Sequence, residues 1–236
     1  MELILVRHAQ NVLPEAQKSI DEQFIADTEL TSTGQTQAQQ LAAKLKTLRP
    51  TRATTLISSP AKRCVLTAEE VGHALGLKVS LEPRIGDRRH GSQRFENLDH
   101  YRQWQLDAWR APAEAQHGSE SLLSQRRRVR SWLVAAQGLG LDRMIVVTHG
   151  SVIEQVTGVL LGIPTRRMAM NFLQCDHAHF HRWDLRGSER AILMEANVSP
   201  TVLVTPSKKD THAAISSRLA AESDASAFVV DKYYVR

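Results

Sequence analysis

Four short segments carry side chains that could handle a phosphate group: Arg7-His8, Ser58 to Arg63, Asp87-Arg88 and His149-Gly150. Arginine forks match phosphate oxygens bidentately. A neutral imidazole nitrogen is nucleophilic near pH 7 and can accept a phosphoryl group. A carboxylic acid can protonate the departing alkoxide. Each segment alone has a plainer reading, since a histidine at a strand end is commonly a hydrogen-bonded structural residue. Together they place two histidines, several arginines and one carboxylate at strand ends or in the loops beside them. Ligands of open α/β sheets bind at that edge.

The elements that must position these residues are legible from periodicity. Glu2–Val6 reads as a short buried strand, with Arg7-His8 where it runs out. Ala38, Leu41, Ala42, Leu45 and Leu48 recur at helical spacing, with Thr31 or Ser32 able to cap the start and Pro50 ending the run. Thr54–Ile57 is a second strand, followed by a helix with Val65, Ala68, Val71 and Leu75 on one face and Gly76 past its end. Lys78–Leu81 suggests a third strand. The polar stretch from Pro83 to Gly118 reads as a loop and a small helical insert at about 92–118, in which Trp104 and Trp109 either line a pocket or form a local core. Glu120–Leu133 is helical, Met144–Thr148 is a buried strand, a helix begins near Ser151, and Cys175–Leu185 and Ala191–Ala196 read as strands. Strands alternating with helices predict an α/β fold with a largely parallel sheet.

Composition narrows the class. The 236 residues carry 30 lysines and arginines against 25 aspartates and glutamates, a net charge of +5. With 42% apolar residues and a mean hydropathy of −0.30, the chain reads as a soluble globular protein. No apolar run approaches the ~18 residues of a membrane span, and MELILVRH has too short an apolar stretch for a secretory signal. Cys64 and Cys175 form no pairing pattern, which suits a reducing compartment, so a cytoplasmic location is expected. The basic residues are not interleaved with aromatics, so nucleic acid is not the expected partner.

The order of the blocks resembles the histidine phosphatase superfamily, also called the phosphoglycerate-mutase-like family. LVRHAQN at Leu5 to Asn11 looks like its Arg-His-Gly signature, and ELTSTGQTQAQQLA at Glu29 to Ala42 like its Leu-Thr and glycine block. LISSPAKRCVLTAEEV resembles its Ser-Ser-Pro block, and GSESLLSQRRRVRSWL and MIVVTHG its later helix and second histidine strand. The resemblance covers about residues 2–200. It implies a three-layer sandwich with helices on both faces of a mostly parallel central sheet. After about Pro206 the composition turns rich in serine, alanine, lysine and aspartate, which divides the chain into a catalytic domain at 1–205 and an extension at 206–236. The resemblance also implies that His8 is the nucleophile, that Arg7, Arg63 and His149 hold the phosphoryl oxygens, and that neither metal nor cofactor is needed. Asn11, Thr33, Gly34 and Gly150 fall where the substrate would be approached.

Two frames compete for the proton donor, Glu82 and Asp87. Arg84-Ile85-Gly86 before Asp87 matches the family's Arg-Leu-x better, so Asp87 is preferred and Arg88 becomes its helper arginine. Ala9 replaces the usual signature glycine. The Trp-Asn pair that mutases carry after the signature is here Asn11-Val12-Leu13-Pro14, which favours hydrolysis over phosphoryl return. The expected activity is therefore a metal-independent phosphatase acting on small phosphomonoesters. The alternatives are a mutase with the same intermediate and a poorly catalytic phospholigand-binding protein. Arg88 and Arg89 make a second anionic group on the substrate plausible, and the terminal FVVDKYYV could pair across a homodimer.

Three further signals have bland readings that we prefer. His177, His179 and His181 could share a metal on one strand face, but a solvent-facing edge strand with polar alternation is simpler. The run Arg126-Arg127-Arg128-Val129-Arg130 reads as a solvated helix face with one arginine turned inward. Cys64 falls on a helical stripe and reads as a packing residue.

Overall fold

The computed structural model describes residues 1–13, 28–168, 173–186 and 190–201, all within one compact unit, Met1–Val202. The expected boundary at 205 and the FVVDKYYV segment lie outside the described residues.

The chain runs β1 (Glu2–Arg7), α1 (Ser32–Lys46), β2 (Thr54–Ser58), α2 (Lys62–Leu75), β3 (Val79–Leu81) and a 3-10 turn at Pro83–Ile85. It continues with α3 (Leu98–Arg110), α4 (Leu122–Gln137), β4 (Arg143–Thr148), α5 (Gly150–Leu160), α6 (Thr165–Met168), β5 (Phe180–Asp184) and β6 (Ile192–Val198). The six strands form one sheet in the order β3-β2-β4-β1-β5-β6. β3, β2, β4 and β1 are parallel to one another, whereas β5 and β6 join antiparallel. The sheet is thus mixed and mostly parallel, as expected.

Alternation along β1 shows why three layers form. Ile4 and Val6 face Leu41, Leu45, Cys64, Ala68 and Val71 of α1 and α2. Leu3 and Leu5 face the opposite layer, where Val129, Trp132, Val152 and Val156 of α4 and α5 pack. All four β1 residues are fully buried, each removal from water stabilising by about 1.5–3 kcal/mol. A parallel strand covered on both faces reads as a continuous apolar run, which is what LILV is. Cys64 is in this core, as its stripe position predicts.

The last two strands differ from expectation. β5 starts only at Phe180, and it lies between β1 and β6 rather than at an edge. His181 is consequently buried between its neighbours, with neither ring nitrogen hydrogen-bonded among the described residues. Ala178, at φ 60°, turns the chain before the strand. His177 belongs to that turn, so the three histidines do not share a strand face. The arginine run also departs from its reading, because two arginines rather than one point inward. Arg126 donates to the carbonyls of Gly158 and Ile163 at 3.0 and 2.7 Å, and Arg128 donates to those of Arg84, Gly86 and Asp87.

One close approach fixes the loop after β1. Thr31 caps α1 by accepting from the Gly34 N–H at 2.9 Å, and its own N–H donates to the Gln10 carbonyl at 3.0 Å. A Cβ at position 34 would lie 1.9 Å from that same Gln10 oxygen, which is backbone and cannot swing aside. Gly34→Ala should therefore destabilise the protein by about 1–3 kcal/mol through overpacking, read as a lower urea midpoint with unchanged slope. An unchanged midpoint would mean that the Gln10 loop yields freely.

Candidate active site

Strand register assembles the site. Arg7 pairs with Thr148 across the parallel β1–β4 ladder, so the next residues, His8 and His149, emerge side by side with ring centroids 5.4 Å apart. β2 runs beside β4 with Ser58 opposite Val147, which brings Ser59 against His149, Oγ to Nε2 2.8 Å. Arg63 reaches in from the first turn of α2. His149 is the N-cap of α5, so the positive end of that helix also faces the site.

Hydrogen bonds settle the tautomers. His8 Nδ1 lies 2.8 Å from the Ala9 carbonyl, which can only accept, so Nδ1 carries the proton. Its Nε2 keeps a lone pair, toward which Arg63 Nε donates at 3.2 Å. Arg63 Nη2 lies 3.0 Å from His149 Nδ1 and can only donate, so His149 carries its proton on Nε2 toward Ser59. Burial, then the Arg63 charge, hold His8 well below the ordinary histidine range. His149 is lowered to about 3, again chiefly by burial, despite the nearby Asp87. Both imidazoles are neutral at physiological pH.

Asp87 is the carboxylate of this cluster. Its Oδ2 is 3.4 Å from Arg63 Nη2 and 3.6 Å from His149 Nδ1, and its Oδ1 accepts from the Ser151 hydroxyl at 2.6 Å. Burial opposes its ionisation, but the Arg63 charge and the Ser151 hydrogen bond outweigh that and hold the carboxyl far below its usual range. Glu82 instead caps the 3-10 turn and is paired with Arg84 at 2.7 Å.

Arg7 completes the cation set. Its Nη1 donates to the Cys175 carbonyl at 2.9 Å, and its buried Nε has no hydrogen-bond partner among the described residues. An unsatisfied buried donor costs about 1–3 kcal/mol, and an anion could satisfy it. Gly150 lies against this guanidinium, with any added Cβ 3.6 Å from Arg7 Nε.

The remaining sequence candidates serve the frame. Asn11 Nδ2 donates to the Val12 carbonyl and the Thr28 hydroxyl at 3.0 and 3.2 Å. Gly34 supports Gln10, and Thr33 is exposed on the first turn of α1. Arg88 is buried, with its guanidinium carbon 3.3 Å over the Trp104 ring and Nη2 on the Trp104 carbonyl. Trp104 packs with His90 and Phe95 as the core of the insert, whereas Trp109 lines a cavity beside α5.

Sequence reasoning missed three supports. Thr67 accepts from the Ala9 N–H at 3.0 Å and donates to the Arg63 carbonyl, tying signature to helix. Arg128, paired with buried Glu120, clamps three carbonyls of the loop that ends at Asp87. His177, weighed above only as a metal ligand, lies against His8 with ring centroids 5.1 Å apart. Its Nδ1 bonds the His8 carbonyl at 3.1 Å, so its Nε2 is the acceptor facing Arg7 Nη2 at 3.3 Å. No local pattern in the sequence singles it out, since it sits in the turn before β5.

Comparison with known proteins gives a consistent result. A family model described as histidine phosphatase superfamily (branch 1) matches residues 3–197. The chain is 29% identical over 173 residues to a protein named "Probable phosphoglycerate mutase GpmB" from Escherichia fergusonii, covering 70% of this chain and 76% of that one. It is 31% identical over 183 residues to glucosyl-3-phosphoglycerate phosphatase from Mycobacterium tuberculosis, covering 69% and 76%. A mycobacterial glucosyl-3-phosphoglycerate phosphatase solved with inorganic phosphate superposes with a TM-score of 0.68 at 25% identity, covering 85% of this chain and 99% of that one.

His177 generates a test. His177→Ala removes the acceptor from Arg7 and the donor to His8, and should weaken inorganic phosphate binding about tenfold by calorimetry, equivalent to one charge-assisted hydrogen bond of ~1.5 kcal/mol. Undiminished affinity would show that Arg7 holds its pose without His177.

Proposed function

Because the chain belongs to the histidine phosphatase superfamily, we propose that it hydrolyses small phosphomonoesters through a phosphohistidine intermediate on His8. The observation that carries this reading is the His8 Nε2 lone pair, set by the Nδ1 bond to the Ala9 carbonyl and facing Arg63, with the His149 and His177 rings packed against the same imidazole. The family match over residues 3–197 supports a catalytic domain at 1–205 with 206–236 as an extension.

The phosphoryl oxygens take hydrogen bonds from the unpartnered Arg7 Nε, from Arg63 and from the positive end of α5. Once Arg63 turns to the phosphate, the His8 lone pair faces phosphorus. Nε2 attacks, the P–N bond forms, and the P–O bond to the leaving group breaks with its electron pair on oxygen. Asp87 protonates that oxygen. The Nδ1–H to Ala9 carries part of the positive charge that develops on the phosphorylated ring. Water then attacks phosphorus while Asp87 takes its proton, the P–N bond breaks, and His8 returns neutral. Spread negative charge in the transition state is matched by guanidinium groups already in place, so the protein's own cations supply the electrostatic stabilisation.

Asp87 must change state to serve as an acid. In the free protein Arg63 and the Ser151 hydroxyl keep it ionised. A bound phosphate draws those same groups and adds like charge beside the carboxylate, which raises its pKa. Substrate binding is thus coupled to proton uptake, and affinity for phosphate falls as pH rises.

Of the two arginines expected to meet a second anionic group, Arg88 is held by Trp104 and Arg89 pairs with Glu120 at 3.5 Å. A homodimer through FVVDKYYV rests on residues beyond those described. Both cysteines are buried free thiols, which supports the cytoplasmic location we propose, and no helix among the described residues is long and apolar enough to cross a membrane. A mutase stays the second reading because of the relative named as one.

Turnover of p-nitrophenyl phosphate in EDTA should persist in the wild type and fall by at least about 10³-fold in His8→Ala, as for loss of a covalent nucleophile. EDTA-sensitive turnover, or a His8→Ala enzyme with full activity, overturns this mechanism. Interconversion of 2- and 3-phosphoglycerate faster than phosphate release would establish the mutase instead. Calorimetry of phosphate binding in buffers of different ionisation enthalpy should show net proton uptake near pH 7 that disappears in Asp87→Asn. Equal uptake in both proteins would place the proton elsewhere.

A further inference from the structure

A cavity of about 280 Å3 lies beside the second turn of α5, with Trp109, Glu154, Thr157, Leu161, Ile163 and Met168 among its walls. That is at the lower edge of the roughly 300–1,000 Å3 typical of small-molecule sites. Glu154 is the only ionisable side chain among its described lining residues, and the other walls are largely apolar.

The cavity adjoins the phosphate site. Gly150 touches the Arg7 guanidinium, and Glu154 follows one helical turn later on the same face of α5. Arg7 and Asp87 both act electrostatically on the Glu154 carboxyl, which burial drives up to about 8. The buried Thr157 hydroxyl lacks a hydrogen-bond partner among the described residues. Glu154 is half-buried and within electrostatic reach of Arg7. A carboxyl facing a largely apolar recess is costly to ionise, and a cation placed against it relieves that cost. A tryptophan wall adds a face that attracts cations.

Resting on the phosphatase reading above, we propose that this cavity binds the leaving group of the substrate and selects a small alcohol bearing an ammonium group. The ammonium donates to the Glu154 carboxylate and the Thr157 hydroxyl, its carbon chain lies along Leu161, Ile163 and Met168, and the ester oxygen faces Asp87. Arg126 is engaged on the Gly158 and Ile163 carbonyls, so a second anionic group in the same place would meet the Glu154 carboxylate and be rejected.

The test compares kcat/KM for 4-aminobutyl phosphate, butyl phosphate and 3-phosphoglycerate. In the wild type the amine-bearing ester should exceed butyl phosphate by about tenfold and 3-phosphoglycerate by more. In the isosteric Glu154→Gln the ratio of aminobutyl to butyl phosphate should fall to near one, and Glu154→Lys should shift preference toward 3-phosphoglycerate. A wild-type enzyme that prefers butyl phosphate or 3-phosphoglycerate overturns the inference, as does a Glu154→Gln enzyme with the wild-type ratio. If either variant fails to fold, the wild-type order of the three esters decides. Turnover of p-nitrophenyl phosphate without the ammonium preference sinks this inference alone. Phosphate released from none of the esters sinks the phosphatase reading and this inference with it.

Discussion

The Arg63 guanidinium touches His8, His149 and Asp87 at once, at 3.2, 3.0 and 3.4 Å. It leaves water almost completely in doing so, with 5% of its surface exposed. Burying a cation against two neutral imidazoles and the Asp87 carboxylate is tolerable because these contacts are hydrogen bonds. The same contacts define the resting site: they occupy the His8 lone pair, keep Asp87 ionised and orient His149. In the mechanism we propose, an incoming phosphate competes for all of them together, and that one displacement frees the His8 lone pair and loosens the hold on Asp87.

Such a concentration of charge needs a rigid frame, and most of the polar contacts around the site supply one. Thr148 donates to the Ile85 carbonyl at 2.6 Å, and Arg128 with Glu120 clamps the backbone just beyond it. The Asp87 loop is thus held from β4 and α4 simultaneously. On the other side, Thr67 joins Ala9 to the first turn of α2, which carries Arg63. These supports use fixed backbone groups rather than mobile side-chain pairs, which is how a site keeps its donors in place without reorganising during reaction.

The insert divides its aromatic residues between two tasks. Trp104 and Phe95 close over His90 and Arg88 and give the segment a core of its own, since α3 has no fully buried residue. Trp109, one and a half turns further along, faces the cavity that holds Glu154. Arg88 follows Asp87 directly, yet the pull of the Trp104 ring directs its charge away from the phosphate. Adjacency in the chain therefore says little about which arginine meets the substrate.

What the amino-acid sequence determined by itself was the local order: LILV as a strand buried on both faces, Thr31 and Gly76 as helix ends, and Arg7-His8, Arg63 and His149-Gly150 at strand ends or the helix start beside them. Those features follow from side-chain periodicity and capping, which act within a few residues. The tertiary structure decided the rest. Asp87 rather than Glu82 meets the histidines because Glu82 finds Arg84 two residues away, while Arg128, some forty residues on, holds the Asp87 loop. His177 joins the site, and His181 is buried, because β5 is added antiparallel beside β1 instead of ending the sheet. Two arginines of the basic run turn inward because carbonyls without helical partners wait on facing loops. These outcomes depend on which segments become neighbours, and no local pattern encodes the register and direction with which distant strands pair.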